Sequence, residues 1–334
     1  MKSPITGKEM TLKKEKRSME FRKEKIEIVY HYYKCEDSGE QFTTTALDEL
    51  NINQVHNRYR EKFNIPFPEE IAGIREKYGL SAVKMSEVLG FGVNGYRQYE
   101  AGEIPSIANA KIIQMVDDST YFTKMVELST TLSSEIKLKV CQRARQISEL
   151  KDQNRGFEAF QEYMLGKAKP DTFSGYKIPS LEKIAQMISY FAKEMQPYKT
   201  KLNKLLFYAD FLMYKESGFS ISGMRYKAID MGPVPGNFQS IYEYLANQGE
   251  IDILSQEFPN GKTGEQFIPK RENPFKADLF TEKEIRVLEK VAKTFRKTTT
   301  QEMIELSHSE EAWKANEKIK AKIHYDYAFE LNLS

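Results

Sequence analysis

The 334-residue chain reads as a mainly α protein with small β elements. Three observations lead there. Residues 1–45 alternate polar and apolar side chains as hairpin strands do, and residues 66–116 place apolar positions at helical spacing between glycine turns. The last half carries long amphipathic stretches and two capping boxes, interrupted by one short strand pattern and one hairpin. The expected organisation is a ribbon-like β module at 1–45, four or five short helices at 60–120, a helical connector and linker at 121–175, and an α+β domain at 176–334. With 40% hydrophobic and 29% charged residues, ordinary cores can form. Cys35 and Cys141 are too few for a disulfide framework, no apolar run approaches the roughly 20 residues of a membrane span, and no signal-peptide h-region opens the chain. A soluble cytoplasmic protein with reduced thiols is expected, without a membrane partner.

In the first module, the alternation around Met19-Glu20-Phe21 and from Ile26 to Tyr30 suits paired strands. Ser3, Thr6, Cys35 and Ser38 stand at the spacing of two zinc knuckles, SxxT and CxxS. Only the thiol ionises near neutral pH as a zinc ligand must, and His31 with Cys35 would leave a site half-empty. No metal and no cofactor is expected, so the module keeps its shape without one or leans on its neighbours. Residues 1–34 hold ten Lys/Arg against five Asp/Glu, and residues 135–155 hold six against three. Such an excess draws phosphate or serves as a solvated surface.

From Pro66, Ile71, Ile74 and Tyr78 mark one helix that ends at Gly79, and Ser81 caps a second with Val83, Met85, Val88 and Leu89 as buried positions. Gly90-Phe91-Gly92 makes a turn, a third helix follows over Val93–Glu100, and Pro105 opens a fourth with Ile107, Ala110, Ile112, Ile113 and Met115. Short helices with a tight turn between the second and third follow the helix-turn-helix plan. On the third helix, Asn94 and Gln98 can pair bidentately with adenine, and Arg97 can reach guanine or a phosphate. Of Tyr96 and Tyr99, one packs inward and the other is placed to touch the DNA backbone. Residues 66–116 hold five Lys/Arg against six Asp/Glu, so DNA binding there needs the basic flanks or a dimer.

Over roughly residues 1–118 the chain resembles the MqsA-type antitoxins, in which a four-cysteine ribbon precedes an Xre/Cro-like helix-turn-helix whose third helix begins GxVNxxxRYE. The matching residues are Gly92-Val93-Asn94, Gly95-Tyr96-Arg97-Gln98 and Tyr99-Glu100. The resemblance implies a ribbon whose metal site has decayed, and contact with operator DNA through Asn94, Tyr96, Arg97 and Gln98. This chain departs from the pattern at the ligands, SxxT…CxxS, and at Gln98, where the family carries an arginine.

Ile136, Val140, Ala144 and Ile147 give the connector one helical stripe, fit for a spacer, a dimer arm or packing on its own domain. The stretch 166–180 has the composition of a linker. Beyond it, Leu181, Ile184, Ala185, Ile188, Ala192 and Met195 line one helix face. Leu202, Leu205, Leu206, Ala209 and Met213 line the next helix, which ends at Gly218. Met224, Tyr226 and Ala228 alternate as a strand, FQSIYEYLANQG is helical, and IDILSQEF and EQFIPK flank an Asn260-Gly261 turn. Thr281-x-x-Glu284 and Thr299-x-x-Glu302 open two more helices.

This half resembles the Panacea, or SocA-like, domain of toxin–antitoxin antitoxins over about residues 178–334. The resemblance rests on KLNKLLFYADFLMYKESGFSISGMRYKAIDMGPVP and on ELSHSEEAW. Its motif positions are Lys204, Tyr208, Asp210, Gly218, Gly223, Tyr226, Ala228, Gly232, Pro233, Val234, His308 and Trp313. It implies a cognate toxin protein as partner, bound stoichiometrically without chemistry. An Asp210–His308 acid/base pair with Ser307 or Ser309 as nucleophile lacks an oxyanion loop, so no enzyme is expected. The chain then reads as an antitoxin that represses its own operon as a homodimer. The alternative is a regulator or proteolytic adaptor that holds a client protein or ligand.

Overall fold

A computed structural model of the chain describes residues 1–166, 169–259, 261, 263–270 and 275–333, with side chains at all of these except 151–155. The expected class holds: helices dominate, and three small sheets accompany them. The chain divides into two compact units. One holds Met1–Ser18, Glu27–Gln54 and the chain from Gln161 onward; the other holds Met19–Ile26 and Val55–Phe160.

The N-terminal sheet is β1 (Thr11–Phe21), β2 (Glu24–Lys34) and β3 (Gln41–Phe42), in that order. Helix α1 (Thr45–Phe63) follows, and sequence reasoning missed it because its buried side includes amides and an arginine as well as apolar residues. Asn51, Gln54, Asn57 and Arg60 are all buried alongside Leu50, Val55 and Tyr59. In the first unit the amides serve the backbone of β2. Gln54 accepts from the Val29 N–H at 3.0 Å and donates to its carbonyl at 2.8 Å, and Asn51 does the same for His31 at 2.9 and 2.9 Å. Buried backbone polar groups must be paired, so a polar helix face here is the stable solution.

In the second unit, α2 (Pro68–Lys77), α3 (Ala82–Leu89), α4 (Gly95–Glu100) and α5 (Ile107–Met115) follow with the expected turns, and Ser81 caps α3 by accepting from the Lys84 N–H. The third helix starts two residues later than predicted. Val83, expected to be buried, is 39% exposed. Next come α6 (Ser119–Leu128) and α7 (Ser134–Leu165), one continuous 32-residue helix. Val140 and Ala144 are buried in the same core as Ile71, Met85, Tyr96 and Phe122, with Ile136 and Ile147 packed against it. The connector stripe therefore packs on its own unit.

The first unit continues with α8 (Leu181–Met195), α9 (Lys199–Ser217), β4 (Tyr226–Ile229), β5 (Gly232–Pro235), α10 (Phe238–Asn247), β6 (Asp252–Glu257) and β7 (Thr263–Ile268). It closes with α11 (Glu282–Phe295), α12 (Thr300–Ser309), α13 (Glu311–Lys314) and a 3₁₀ turn at Tyr325–Glu330. Both predicted capping boxes are present. Strands β6 and β7 pair antiparallel from Asp252↔Ile268 to Glu257↔Thr263; Asn260 and Lys262 of the predicted turn lie outside the described residues, as do Lys167 and Ala168 of the predicted linker. Helix α9 is the hub: every residue from Lys201 to Tyr214 is buried, so the five-residue stripe read from the sequence understates a helix covered all round. Around it pack α8, α11, α12, β5 and the 3₁₀ turn.

The N-terminal sheet leans on this same unit. Lys14 donates to the Phe329 carbonyl and pairs with Glu330, each at 2.6 Å, and the His31 ring lies 4.7 Å from Phe329. Asn53 donates to the Ser217 carbonyl at 3.0 Å.

Candidate functional site

The chemistry-bearing residues gather in three places, and the first is the cluster around Cys35. Ser3 Oγ accepts the N–H groups of Ile5 and Thr6, both at 3.2 Å, and Thr6 Oγ1 lies 3.4 Å from Cys35 Sγ. The hydroxyls of Ser3, Ser38 and Thr6 converge on the Cys35 thiol and pull its pKa down to about 6. One thiol and three hydroxyls are a donor set for hydrogen bonds and do not fit zinc. No group of three or more His, Cys, Asp or Glu capable of holding a metal occurs among the described residues. His31 is committed elsewhere, its ring on Phe329 and its pKa lowered by burial to about 4.

The second place is α4. Asn94 caps the helix through its backbone and leaves its amide free of a capping bond, while Asn94, Arg97 and Gln98 are all exposed. Positions i, i+3 and i+4 share one helix face, so these three side chains present donors and acceptors together. Tyr96 does not join them. It is fully buried, donates its hydroxyl to the Ile71 carbonyl at 2.7 Å, and its backbone N–H goes to Ser86 Oγ at 2.9 Å. It is the tyrosine that packs inward, a core residue that cannot reach a ligand. Tyr99 is half-buried and accepts from Asn109 at 2.8 Å. Arg75 fixes the far end of α4 through Glu100 at 2.5 Å.

Sequence reasoning missed two clamps on the turn that leaves α4. Arg60 Nη2 donates to the Gly102 carbonyl at 2.6 Å; Arg22 donates to the carbonyls of Ile104 and Pro105 at 2.6 and 2.9 Å. Neither arginine stands in a recognisable motif, and no local pattern announces a pairing across 42 or 82 residues.

The third place is the C-terminal motif, which turns out to be interior. Asp210 is fully buried and accepts four bonds: Ile221 N–H at 2.9 Å, Ser222 N–H at 2.8 Å, Ser222 Oγ at 2.5 Å and Tyr226 OH at 2.7 Å. Burial pushes its pKa up and the donors oppose the shift. The carboxylate thereby folds the 218–223 loop onto α9, and Gly223 there (φ +75) brings its Cα against the backbone of Ile178 and Pro179. Lys204 is buried with the Pro233 carbonyl as acceptor at 3.0 Å, and burial lowers its pKa to about 7. Gly232 (φ +96) is what lets β5 approach: a Cβ there would sit 2.5 Å from Ser307 Oγ and 2.8 Å from Lys204 Nζ. Tyr208 donates to Glu310 at 3.2 Å, and Asn332 holds the other carboxylate oxygen.

The acid/base set already rejected from the sequence is dispersed in the fold. Asp210 serves its loop, Ser307 donates to the Ile304 carbonyl, Ser309 to the Leu306 carbonyl, and His308 stacks on Trp313 at 3.8 Å. Trp313 in turn donates to the Ile229 carbonyl at 2.8 Å. Of the twelve motif positions read here from the sequence, only His308 and Trp313 keep partial exposure.

A helix buried in the centre of a small α+β domain, with its polar residues tying strands and loops to it, defines an architectural motif. Residues 202–314 match the family model described as antitoxin SocA-like, Panacea domain. The chain thus carries an antitoxin-associated domain over that stretch. No curated protein and no solved structure matches the chain. No helix among the described residues is long and apolar enough to cross a membrane.

Proposed function

We propose that the chain is the antitoxin of a toxin–antitoxin pair, neutralising a cognate toxin by direct binding through its C-terminal domain and repressing its own operon through α4. The observation that carries this reading is the Panacea match at 202–314. Because Lys204, Tyr208, Asp210 and Tyr226 are enclosed, the binding surface lies away from those four motif residues. The corner around the His308–Trp313 stack suits it. There the β4–β5 turn exposes Met231 (49%), the stretch after α13 exposes Ile319 (81%), and Lys320 pairs with Asp230 at 3.0 Å to join the two. Apolar anchors beside a Trp, rimmed by charge, have the composition of a binding hot spot. Operator recognition would use Asn94, Arg97 and Gln98 from two copies on half-sites one helical turn apart.

The test is co-expression with the adjacent reading frame. Wild type is expected to rescue growth, and Met231→Glu with Ile319→Glu to fold normally yet fail. Rescue by that double variant would move the surface elsewhere, and no rescue by wild type would end the antitoxin reading.

A further inference from the structure

Of the β1–β2 hairpin, the tip Met19–Ile26 belongs to the second unit. That tip is bolted in place. Phe21 packs edge-on against Tyr59 at 4.9 Å and against His56 at 5.0 Å, and the Arg22 guanidinium donates to the Ile104 and Pro105 carbonyls. Those carbonyls belong to the turn that leads from α4 to α5. The strands are joined by two residues, Arg22 and Lys23, both left-handed at φ 51 and 67. A two-residue hairpin turn of this kind favours Asn-Gly, and two side chains with a Cβ accept the conformation at a cost of about 1 kcal/mol each. Arg22 repays its strain with the two carbonyl bonds. Lys23 does not: it is exposed, and among the described residues no carboxylate pairs with it or with exposed Lys25. Glu24 between them pairs with Lys62 at 2.8 Å.

We infer that this tip is a wing, a second nucleic-acid contact beside α4, in which Lys23 and Lys25 meet the phosphates that flank the bases read by Arg97. The inference rests on the DNA-binding reading of α4 and supplies what that reading lacks. Residues 66–116 hold five Lys/Arg against six Asp/Glu, a poor surface for a polyanion on its own. The hairpin brings cations to a fixed place next to the reading helix, and its clamp on the 101–105 turn ties their position to that of α4. Phosphate contacts of this kind set affinity and orientation without reading sequence.

The experiment measures binding of the full-length chain to its own promoter duplex and to a scrambled duplex between 50 and 200 mM salt. It compares wild type, Lys23→Gln/Lys25→Gln and Arg97→Ala. The lysine variant should weaken both duplexes alike, about 10-fold or more at low salt, and flatten the salt slope by about 0.9 per lost phosphate contact. Arg97→Ala should instead reduce the preference for the promoter, by about 5- to 100-fold. If wild type discriminates the promoter and the lysine variant keeps the full slope, the wing is refuted while the reading of α4 stands. If wild type binds neither duplex, both fall.

Discussion

In the second unit Asn94, Arg97 and Gln98 stand in solvent; in the first, Lys204, Tyr208, Asp210 and Tyr226 are sealed inside. Both sets are polar, closely spaced on one helix or near it, and carried by a family-like pattern. Their fates differ because α4 is a six-residue helix packed through Gly95 and Tyr96, whereas α9 is surrounded on every side. A cluster of polar residues therefore stands on the surface in one unit and serves as internal scaffolding in the other. Substitutions should separate the two: loss of fold in the first unit, loss of binding alone in the second.

The largest effect is expected at Asp210. Asp210→Ala leaves four buried donors without an acceptor, which should cost on the order of 4 kcal/mol or prevent folding, read by urea unfolding of the full chain. Gly232→Ala comes next. Its left-handed backbone and the crowding by Ser307 and Lys204 should cost about 2–3 kcal/mol in the same assay, and a neutral result would contradict the close approach of β5. Acid should weaken the first unit at His31. Its folded pKa is depressed to about 4 by burial and by the charges of Lys14 and Lys215. The unfolded imidazole takes its proton near 6.5 while the folded one resists until about 4, so stability falls as pH drops through that window. A His31→Gln chain should lack that component, on the order of 3 kcal/mol. The smallest stability change belongs to Arg97→Ala, within about 0.5 kcal/mol, despite its expected effect on operator preference.

How much of this was legible in the sequence follows from what each element buries. The boundaries of the short helices from α2 to α5 were readable because Gly79, Ser81, Gly90 and Gly92 are local signals, and so were the capping boxes at Thr281 and Thr299. Helix α1 was not, since its inner face includes the polar side chains of Asn51, Gln54 and Arg60, whose partners lie on β2 and on the turn after α4. Val83 was misplaced because a short helix has room for few inward positions. The enclosure of Tyr208 and Asp210 was equally unreadable, because their acceptors and donors at Glu310, Ser222 and Tyr226 come from other elements. The Cys35 cluster was half-legible: the sequence shows the spacing of Ser3, Thr6, Cys35 and Ser38, and the structure shows the three hydroxyls gathered on the thiol.

The most direct test of the account is native mass spectrometry of the purified chain mixed with the protein encoded by the adjacent reading frame. A stable complex from which both components return at unchanged mass is the predicted result. Two free proteins, or a partner recovered with altered mass, would contradict it.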